Sequence, residues 1–139
     1  MIIQKIDDYF LVRVYKESIG DFNIFDVDDI QEFFQDIFNK LKKKYDLRGL
    51  IDVDVYVYLE YGMIIEIHPI CNYFDDVDIR IHIHLDSVFL VEISLEDILN
   101  YEDVYYYEGK FYGTYQAASD SEVFYKDTEE MIEKGIKIH

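Results

Sequence analysis

Two histidines flank a single apolar residue in the segment His82-Ile83-His84. Residues two apart on a β-strand lie on the same face, with their Cβ atoms about 6–7 Å apart. Such a pair can bind a divalent metal when a third ligand comes from a neighbouring strand. The predicted third ligand is Glu92, with His68 as a further candidate. The alternative is that these are ordinary polar residues of a strand and that the protein needs no cofactor.

A second group of side chains combines carboxylates and tyrosines at alternate positions of predicted strands. Tyrosine offers a large contact area and a hydroxyl group at a small cost in side-chain entropy. Carboxylates beside it suit contact with a basic, partly apolar protein surface. The same pattern is also typical of the solvated face of an antiparallel sheet. The candidate partner-binding residues are Asp52, Asp54, Tyr56, Tyr58, Glu60 and Arg80.

The sequence contains no motif that indicates nucleophilic catalysis or nucleotide binding. The single cysteine, Cys71, follows Pro69-Ile70 in a predicted turn, and no sequence motif assigns it a base. No serine lies in a Gly-X-Ser-X-Gly turn, and no glycine-rich loop could cradle a phosphate. Because carboxylates are abundant throughout, the proximity of two of them does not indicate acid–base catalysis. The sequence therefore favours a non-enzymatic protein.

The strands that must hold these side chains are predicted from strict alternation of apolar and polar residues. They are residues 2–6, 9–15, 52–60, 63–68, 76–85, 89–93, 103–107 and 111–115. A tight turn at Asp7-Asp8 would join the first two strands, and the last two would form an aromatic hairpin around Glu108-Gly109-Lys110. In-register pairing of the apolar rows predicts a hairpin with a three-residue loop at 60–62, in which Gly62 takes a left-handed conformation. The same test pairs 76–85 with 89–93, which would place His82 beside Glu92.

The clearest helix is predicted over residues 28–45, where apolar residues recur at three- and four-residue spacing. Asp26 is a candidate cap for its first N–H groups. Short helices are expected at 94–101, with Leu95 and Leu99 on the apolar side, and at 128–134, where Gly135 would end the helix. Residues 136–139 would form either an edge strand or a frayed tail. The chain is thus predicted to be a single α+β domain over residues 1–139. Its mostly antiparallel sheet would carry the one long helix on its apolar face, beside one or two short helices.

The charge of the chain excludes some classes of partner. There are 13 basic and 30 acidic residues among 139, which gives a formal net charge of −17. Half of the residues are hydrophobic and 17% are aromatic, so we expect a folded domain rather than a disordered acidic tail. This charge argues against binding to nucleic acid or an anionic membrane, since both require clustered Lys and Arg. Most of it, −15, falls in residues 51–139.

The sequence also predicts a cytoplasmic protein. A single cysteine cannot form an intrachain disulfide, which favours a reducing compartment. The first six residues are too short for a signal peptide and run into Asp7-Asp8. No apolar run is long enough to span a membrane.

Two segments resemble MecA-type adaptor proteins: Glu-Asp-Ile-Leu at 96–99 and Tyr-Tyr-Tyr-Glu-Gly-Lys-Phe-Tyr at 105–112. The strand–strand–helix start of the chain is similar as well. Members of that family are acidic α+β adaptors that present substrates to a Clp unfoldase, so the resemblance implies an adaptor. The linker between two domains that is typical of the family is missing here, and no functional residue is assigned from it.

These observations together predict a small acidic protein that acts through protein–protein contact. The leading form is an inhibitor or immunity-type protein that covers a basic site on its partner. One alternative is a metal- or small-ligand-binding α+β domain that uses the His-X-His pair, and another is an acidic adaptor. A homodimer that pairs additional strands across a two-fold axis is a further alternative.

Overall fold

The structure is a computed structural model that describes residues 2–19, 26–58, 61–71, 76–85, 87–116 and 121–139. The strands are β1 (Ile2–Ile6), β2 (Tyr9–Tyr15), β3 (Gly49–Tyr58), β4 (Gly62–Cys71), β5 (Val77–His84), β6 (Leu90–Ile93), β7 (Val104–Tyr107), β8 (Lys110–Thr114), β9 (Val123–Phe124) and β10 (Ile136–Lys137). The helices are α1 (Lys16–Ile19), α2 (Val27–Lys42) and α3 (Thr128–Lys134), with a 3₁₀ helix at Leu95–Asn100.

The α+β class is confirmed, but the predicted single sheet is two sheets in the described residues. Their strand orders are β1-β2-β4-β3-β5 and β10-β7-β8-β6-β9. The chain forms two compact units: unit 1 is Met1–Val55 with Gly62–His84, and unit 2 is Tyr56–Tyr61 with Leu85–His139. The single-domain interpretation stays a prediction.

The sheet of unit 1 is built around β4. The predicted hairpin of β1 and β2 is confirmed, with Ile6 opposite Tyr9 and Asp7 at a φ of 51° in the turn. Strand β2 pairs antiparallel with β4, which places Val12 opposite Ile65. A connection of three residues joins β3 to β4, and a link this short can only join antiparallel strands.

Strand β5 lies at the edge of this sheet beside β3. Where both strands begin, the N–H of Gly49 donates to the carbonyl of Asp76 at 2.9 Å. Farther along, Arg80 of β5 contacts Asp52 of β3. Residue numbers rise together along both strands, so β5 runs parallel to β3.

Helix α2 is shorter than the predicted 28–45, since it spans 16 residues and ends at Lys42. Its start agrees with the prediction, because Asp26 Oδ1 accepts hydrogen bonds from the N–H groups of Asp28 and Asp29 at 2.9 and 3.3 Å. Beyond Lys42 the chain turns, and the ring of Tyr45 packs against Phe10 at 4.8 Å. The helix is therefore not the one long helix of the prediction.

Unit 1 buries the apolar rows of β2, β3 and β4 together with one side of α2. This matches the predicted alternation in β3, where Val53 and Val55 are buried while Asp52 and Asp54 are half-buried. The buried helix residues are Phe34, Ile37, Phe38 and Leu41. In β5, by contrast, the predicted buried row is wrong for Ile81 and Ile83, whose side chains are exposed.

Unit 2 contains the predicted aromatic hairpin, formed by β7 and β8, with Tyr107 opposite Lys110. Its turn residues Glu108 and Gly109 have φ angles of 47° and 83°. Positive φ at both positions is the signature of a two-residue type I′ turn, whose twist matches that of the strands. The short strand β10 pairs with β7, which confirms the edge-strand interpretation of the last residues.

The predicted hairpin of 76–85 with 89–93 is wrong. Strand β5 belongs to the sheet of unit 1, and β6 lies between β8 and β9 of the other sheet. Val91 is opposite Gly113 and Val123, and Glu92 is opposite Tyr112 rather than beside His82. Alternation shows which residues share a face of a strand, but it does not show which strand is the neighbour.

Helix α3 covers one face of the second sheet, where Met131 packs with Leu90 and Tyr112. The helix ends at Gly135 as predicted. A Cβ at Gly135 would lie 2.2 Å from the carbonyl oxygen of Met131, so close approach of the backbone requires glycine here. The 3₁₀ helix differs from the prediction, because Leu95 and Leu99 are both strongly exposed.

Candidate functional site

The polar side chains of β3 and β5 form two cross-strand pairs in unit 1. Arg80 Nε lies 3.0 Å from Asp52 Oδ1, and His84 Nε2 lies 3.1 Å from Asp54 Oδ1. We call these four residues the polar strip. The second contact is an ion pair only when the imidazole is protonated. Two of the three carboxylates predicted to meet a partner, Asp52 and Asp54, therefore already have a cationic or imidazole neighbour within their own chain.

The pairs of the polar strip are open to solvent, and this limits their strength. The Arg80 side chain is 56% exposed and that of Asp52 is 29% exposed. Ion pairs at such positions contribute about 0–1 kcal/mol, because water and salt screen them. The strip therefore orders side chains on the edge of the sheet without adding much stability.

The two predicted contact tyrosines, Tyr56 and Tyr58, pack within unit 2 instead of standing free. The Tyr58 hydroxyl donates to the carbonyl of Tyr115 at 3.1 Å, and its ring centroid is 5.3 Å from that of Phe89. The ring of Tyr56 lies 5.3 Å from the ring of Tyr125. Their role in the structure is packing. Glu60, the remaining predicted carboxylate, lies outside the described residues.

The four candidate metal ligands occupy three different elements. His82 and His84 lie on β5, and the Nε2 atom of His84 already contacts Asp54. His68 on β4 stacks on the ring of Tyr9 at 4.9 Å and approaches Glu66 at 3.5 Å. Among the described residues, no group of three or more His, Cys, Asp or Glu side chains is arranged to hold a metal ion.

Glu92, the fourth candidate ligand, lies on β6 of the second sheet and carries an exposed carboxylate 3.7 Å from Lys110 Nζ. It lines a groove of about 400 Å³ in unit 2 that also contains Glu122. The other lining residues are Ile93, Ser94, Ser121 and Phe124. An open groove with two carboxylates and an aromatic ring suits a basic side chain, which both groups attract.

A buried carboxylate in unit 1 was not anticipated from the sequence. Glu66 lies in the predicted polar row of β4, yet only 2% of its surface is exposed. It stands opposite Leu11 of β2 and near His68, whose Nε2 is 3.5 Å from its Oε1. The polar face of this sheet is thus partly buried, and the alternation of residue types contains no signal for that.

Unit 2 carries the larger share of the negative charge, with 14 acidic and 4 basic residues in its sequence. Three of its lysines contact carboxylates: Lys134 with Glu130 at 2.9 Å, Lys137 with Asp103 at 3.2 Å, and Lys110 as described above. The remaining described carboxylates of unit 2 are exposed. One of them, Asp97, accepts hydrogen bonds from Ser94 and Asn100. We call the others the acidic surface: Glu96, Glu102, Glu108, Glu122, Asp127, Glu129 and Glu133.

Three side chains on α3 and β7 form a small electrostatic network. The hydrogen bond and the charge of Lys134 lower the pKa of Glu130, and Glu130 in turn raises the pKa of Lys134. Partial burial raises the pKa of Tyr107, and the neighbouring carboxylates Glu108 and Glu130 add to this effect. The network ties the helix to the hairpin through solvent-exposed groups.

Comparisons with protein-family models, with curated proteins and with solved structures gave no match. The resemblance to MecA-type adaptors therefore has no support from a family model. In the part of the chain that the structure describes, no helix is both long and apolar enough to cross a membrane.

Proposed function

We propose that the protein is a non-enzymatic interaction module that binds a basic partner protein through the acidic surface, as an inhibitor or immunity-type protein would. The observation that supports this is uncompensated charge in unit 2. There, Lys110, Lys134 and Lys137 are engaged with carboxylates, while the acidic surface is exposed.

An exposed surface whose charges all have the same sign acts electrostatically on a partner before the two proteins touch. It attracts a surface of opposite charge, raises the rate of association and disfavours partners of like charge. The groove that contains Glu92 and Glu122 offers a place where one Lys or Arg side chain of the partner can be enclosed. Such an anchor would add short-range specificity to the long-range attraction.

The polar strip has a smaller part in this proposal. Asp52 and Asp54 stay candidate contacts, but a cation of the partner has to displace Arg80 and His84 from them. The exchange of one ion pair for another gains little free energy. The acidic surface is therefore the better place for the test.

The experiment begins with capture of a binding protein from the native cell extract at low salt, followed by measurement with the purified pair. Between about 50 and about 500 mM NaCl the Debye length falls from above 10 Å to about 4 Å. We expect the affinity to fall at least about tenfold over this range, since charge attraction is screened. Affinity that does not change with salt would contradict the proposal.

A charge-matched pair of variants tests the location of the site. The variant Glu122→Gln, Glu129→Gln, Glu133→Gln removes three charges from the acidic surface, and we expect binding about tenfold weaker. The control Asp8→Asn, Glu32→Gln, Asp36→Asn removes three charges from unit 1 and should change binding about threefold at most. Equal weakening in both variants would mean that only net charge matters, which rejects the proposed surface.

A further inference from the structure

The second sheet carries three apolar side chains on the face that points away from α3. Ile136, Tyr106 and Phe111 lie directly opposite one another on β10, β7 and β8, so their side chains share one face. We call these three residues the apolar row. Helix α3 packs on the other face, which carries Tyr105 and Tyr112. The apolar row is therefore on the opposite side of the sheet from the helix.

The apolar row is exposed at its outer end. Ile136 is 64% exposed and Tyr106 is 38% exposed. Phe111 is half-buried, and its ring lies 5.2 Å from that of Tyr106. On the inner side the row continues into Ile93 of β6, which is opposite Phe111 and buried. Contiguous apolar surface of this kind is typical of a site of contact with another protein.

The chain itself covers the next part of the same face. Val104 and Gly113 stand opposite each other, two residues along the strands from Tyr106 and Phe111. A Cβ at Gly113 would lie 2.7 Å from the ring of Tyr101, so this ring rests on the backbone of β8. Val104 is fully buried. The apolar row is thus the part of this face that stays exposed.

The carboxylates at the ends of the apolar row are exposed and belong to the acidic surface. Glu108 lies in the hairpin turn two residues after Tyr106, and Glu102 precedes β7 at its other end. Glu133 stands three residues before Ile136. Two residues of strand span about 7 Å, which a Lys or Arg side chain lying on the row can reach. The three lysines of these strands and of α3 contact other carboxylates.

This combination of apolar and acidic groups identifies the chemistry of the occupant. A second copy of the chain would bring another acidic border against Glu102 and Glu108, which is unfavourable. The same carboxylates repel an anionic membrane. A partner segment with apolar side chains between Lys and Arg satisfies both features. Helices pack on the faces of sheets, and an amphipathic helix presents such an apolar side, so the element that fits is a basic amphipathic helix.

We propose that the apolar row is the docking site for a basic amphipathic helix of the partner, whose Lys and Arg side chains contact Glu102 and Glu108. This inference rests on the proposed function and adds the kind of segment that the basic partner presents and the face that receives it. The two can fail separately, because charge attraction alone does not depend on the order of apolar residues in the partner.

Two synthetic peptides of identical leucine and lysine content test the inference by isothermal titration calorimetry on the full chain. In the first, leucines recur at three- and four-residue spacing and form one side of a helix. In the second, the same residues are shuffled so that no side is apolar. We expect the first to bind at least about tenfold more tightly, and to keep part of this advantage at about 500 mM NaCl.

Equal affinities of the two peptides, or no binding of the first, would overturn the inference. Equal binding that weakens with salt would leave the proposed attraction by charge intact.

Substitution of exposed isoleucines tests the location. Ile136→Ser removes the most exposed side chain of the apolar row, and we expect the first peptide and the captured partner to bind at least about fivefold more weakly. The control Ile2→Ser alters an exposed isoleucine of unit 1 and should leave both affinities unchanged. Circular dichroism shows whether each variant folds. A folded Ile136→Ser protein that binds like the parent would reject the apolar row as the site.

Sedimentation equilibrium tests the competing occupant, a second copy of the chain. We expect the parent to stay monomeric at about 100 μM, because the acidic borders of two copies repel each other. Dimers that are lost in Ile136→Ser would assign the apolar row to self-association and overturn the inference.

Discussion

Gly62 begins β4 in a conformation that only glycine adopts easily. Its φ is +126°, and a Cβ would lie 2.1 Å from the carbonyl oxygen of Val14. We expect Gly62→Ala to lower the free energy of unfolding by about 3 kcal/mol, because backbone strain and a contact with rigid backbone add together. Urea denaturation measures this change.

Gly109 provides the matched control. It also has a positive φ, +83°, but no atom lies within 4 Å of the position its Cβ would take. Gly109→Ala should therefore cost only the left-handed backbone strain, about 1 kcal/mol. Equal losses in the two variants would show that the contact at Gly62 adds nothing.

Buried polar residues mark the limit of sequence prediction for single side chains. Alternation places Glu66 on the polar face of its strand, and the structure agrees about the face. Its burial depends on what lies over that face, which involves residues distant in sequence. Tyr58 illustrates the same point, since its hydroxyl bonds to the carbonyl of Tyr115, 57 residues away.

The contact between α3 and β7 predicts how stability depends on pH. The folded-state pKa values of Lys134 and Tyr107 are raised above their ordinary values of 10.5 and 10.0. The contribution of each group to the stability of the folded state is therefore fully present below its ordinary pKa. It is lost as the pH rises through the folded-state values. The pKa of Glu130 is lowered, so its contribution is complete above 4.5 and is lost as the pH falls.

Lys134→Met and Tyr107→Phe test this network. We expect Lys134→Met to be less stable than the parent at pH 7, and the difference to shrink both above pH 10.5 and in the acid range below pH 4.5. For Tyr107→Phe the difference should shrink on the alkaline side. Urea denaturation across this pH range is the measurement, and a difference that is independent of pH would contradict the assignment.

Capping residues and helix-ending glycines predict the ends of individual elements well, because each acts on backbone groups only a few residues away. Asp26 caps α2, and Gly135 follows α3, as expected. The end of α2 was missed, since lysines that favour a helix C-terminus also continue the helical pattern. The exposed Leu95 and Leu99 were misjudged because helical spacing predicts an apolar side without showing that another element covers it.

The net charge of −17 predicts that salt stabilises the protein. Repulsion between exposed carboxylates destabilises the compact state, and added salt screens it. We expect Tm to rise by a few degrees between about 20 and about 500 mM NaCl, measured by circular dichroism. The variant Glu122→Gln, Glu129→Gln, Glu133→Gln should show a smaller rise. A Tm that falls with salt would mean that ion pairs such as Lys134–Glu130 outweigh the repulsion.

The α+β class, the positions of most strands, the start of α2 and the two hairpins around Asp7 and Gly109 could all be predicted from the sequence. These features depend on alternation, capping and turn chemistry, which act between residues close together in the chain. The excess of negative charge follows directly from the composition. Each of these conclusions needed only local contacts or composition.

Which strands are neighbours could be seen only in the folded chain. In the structure β5 and β6 belong to different sheets, so His82 and Glu92 do not lie on paired strands, and Arg80 of β5 pairs with Asp52 of β3. The structure also places β5 at an edge with Ile81 exposed. Many strands with the same alternation can pair equally well in register, and the choice among them rests on packing between distant segments, which periodicity does not contain.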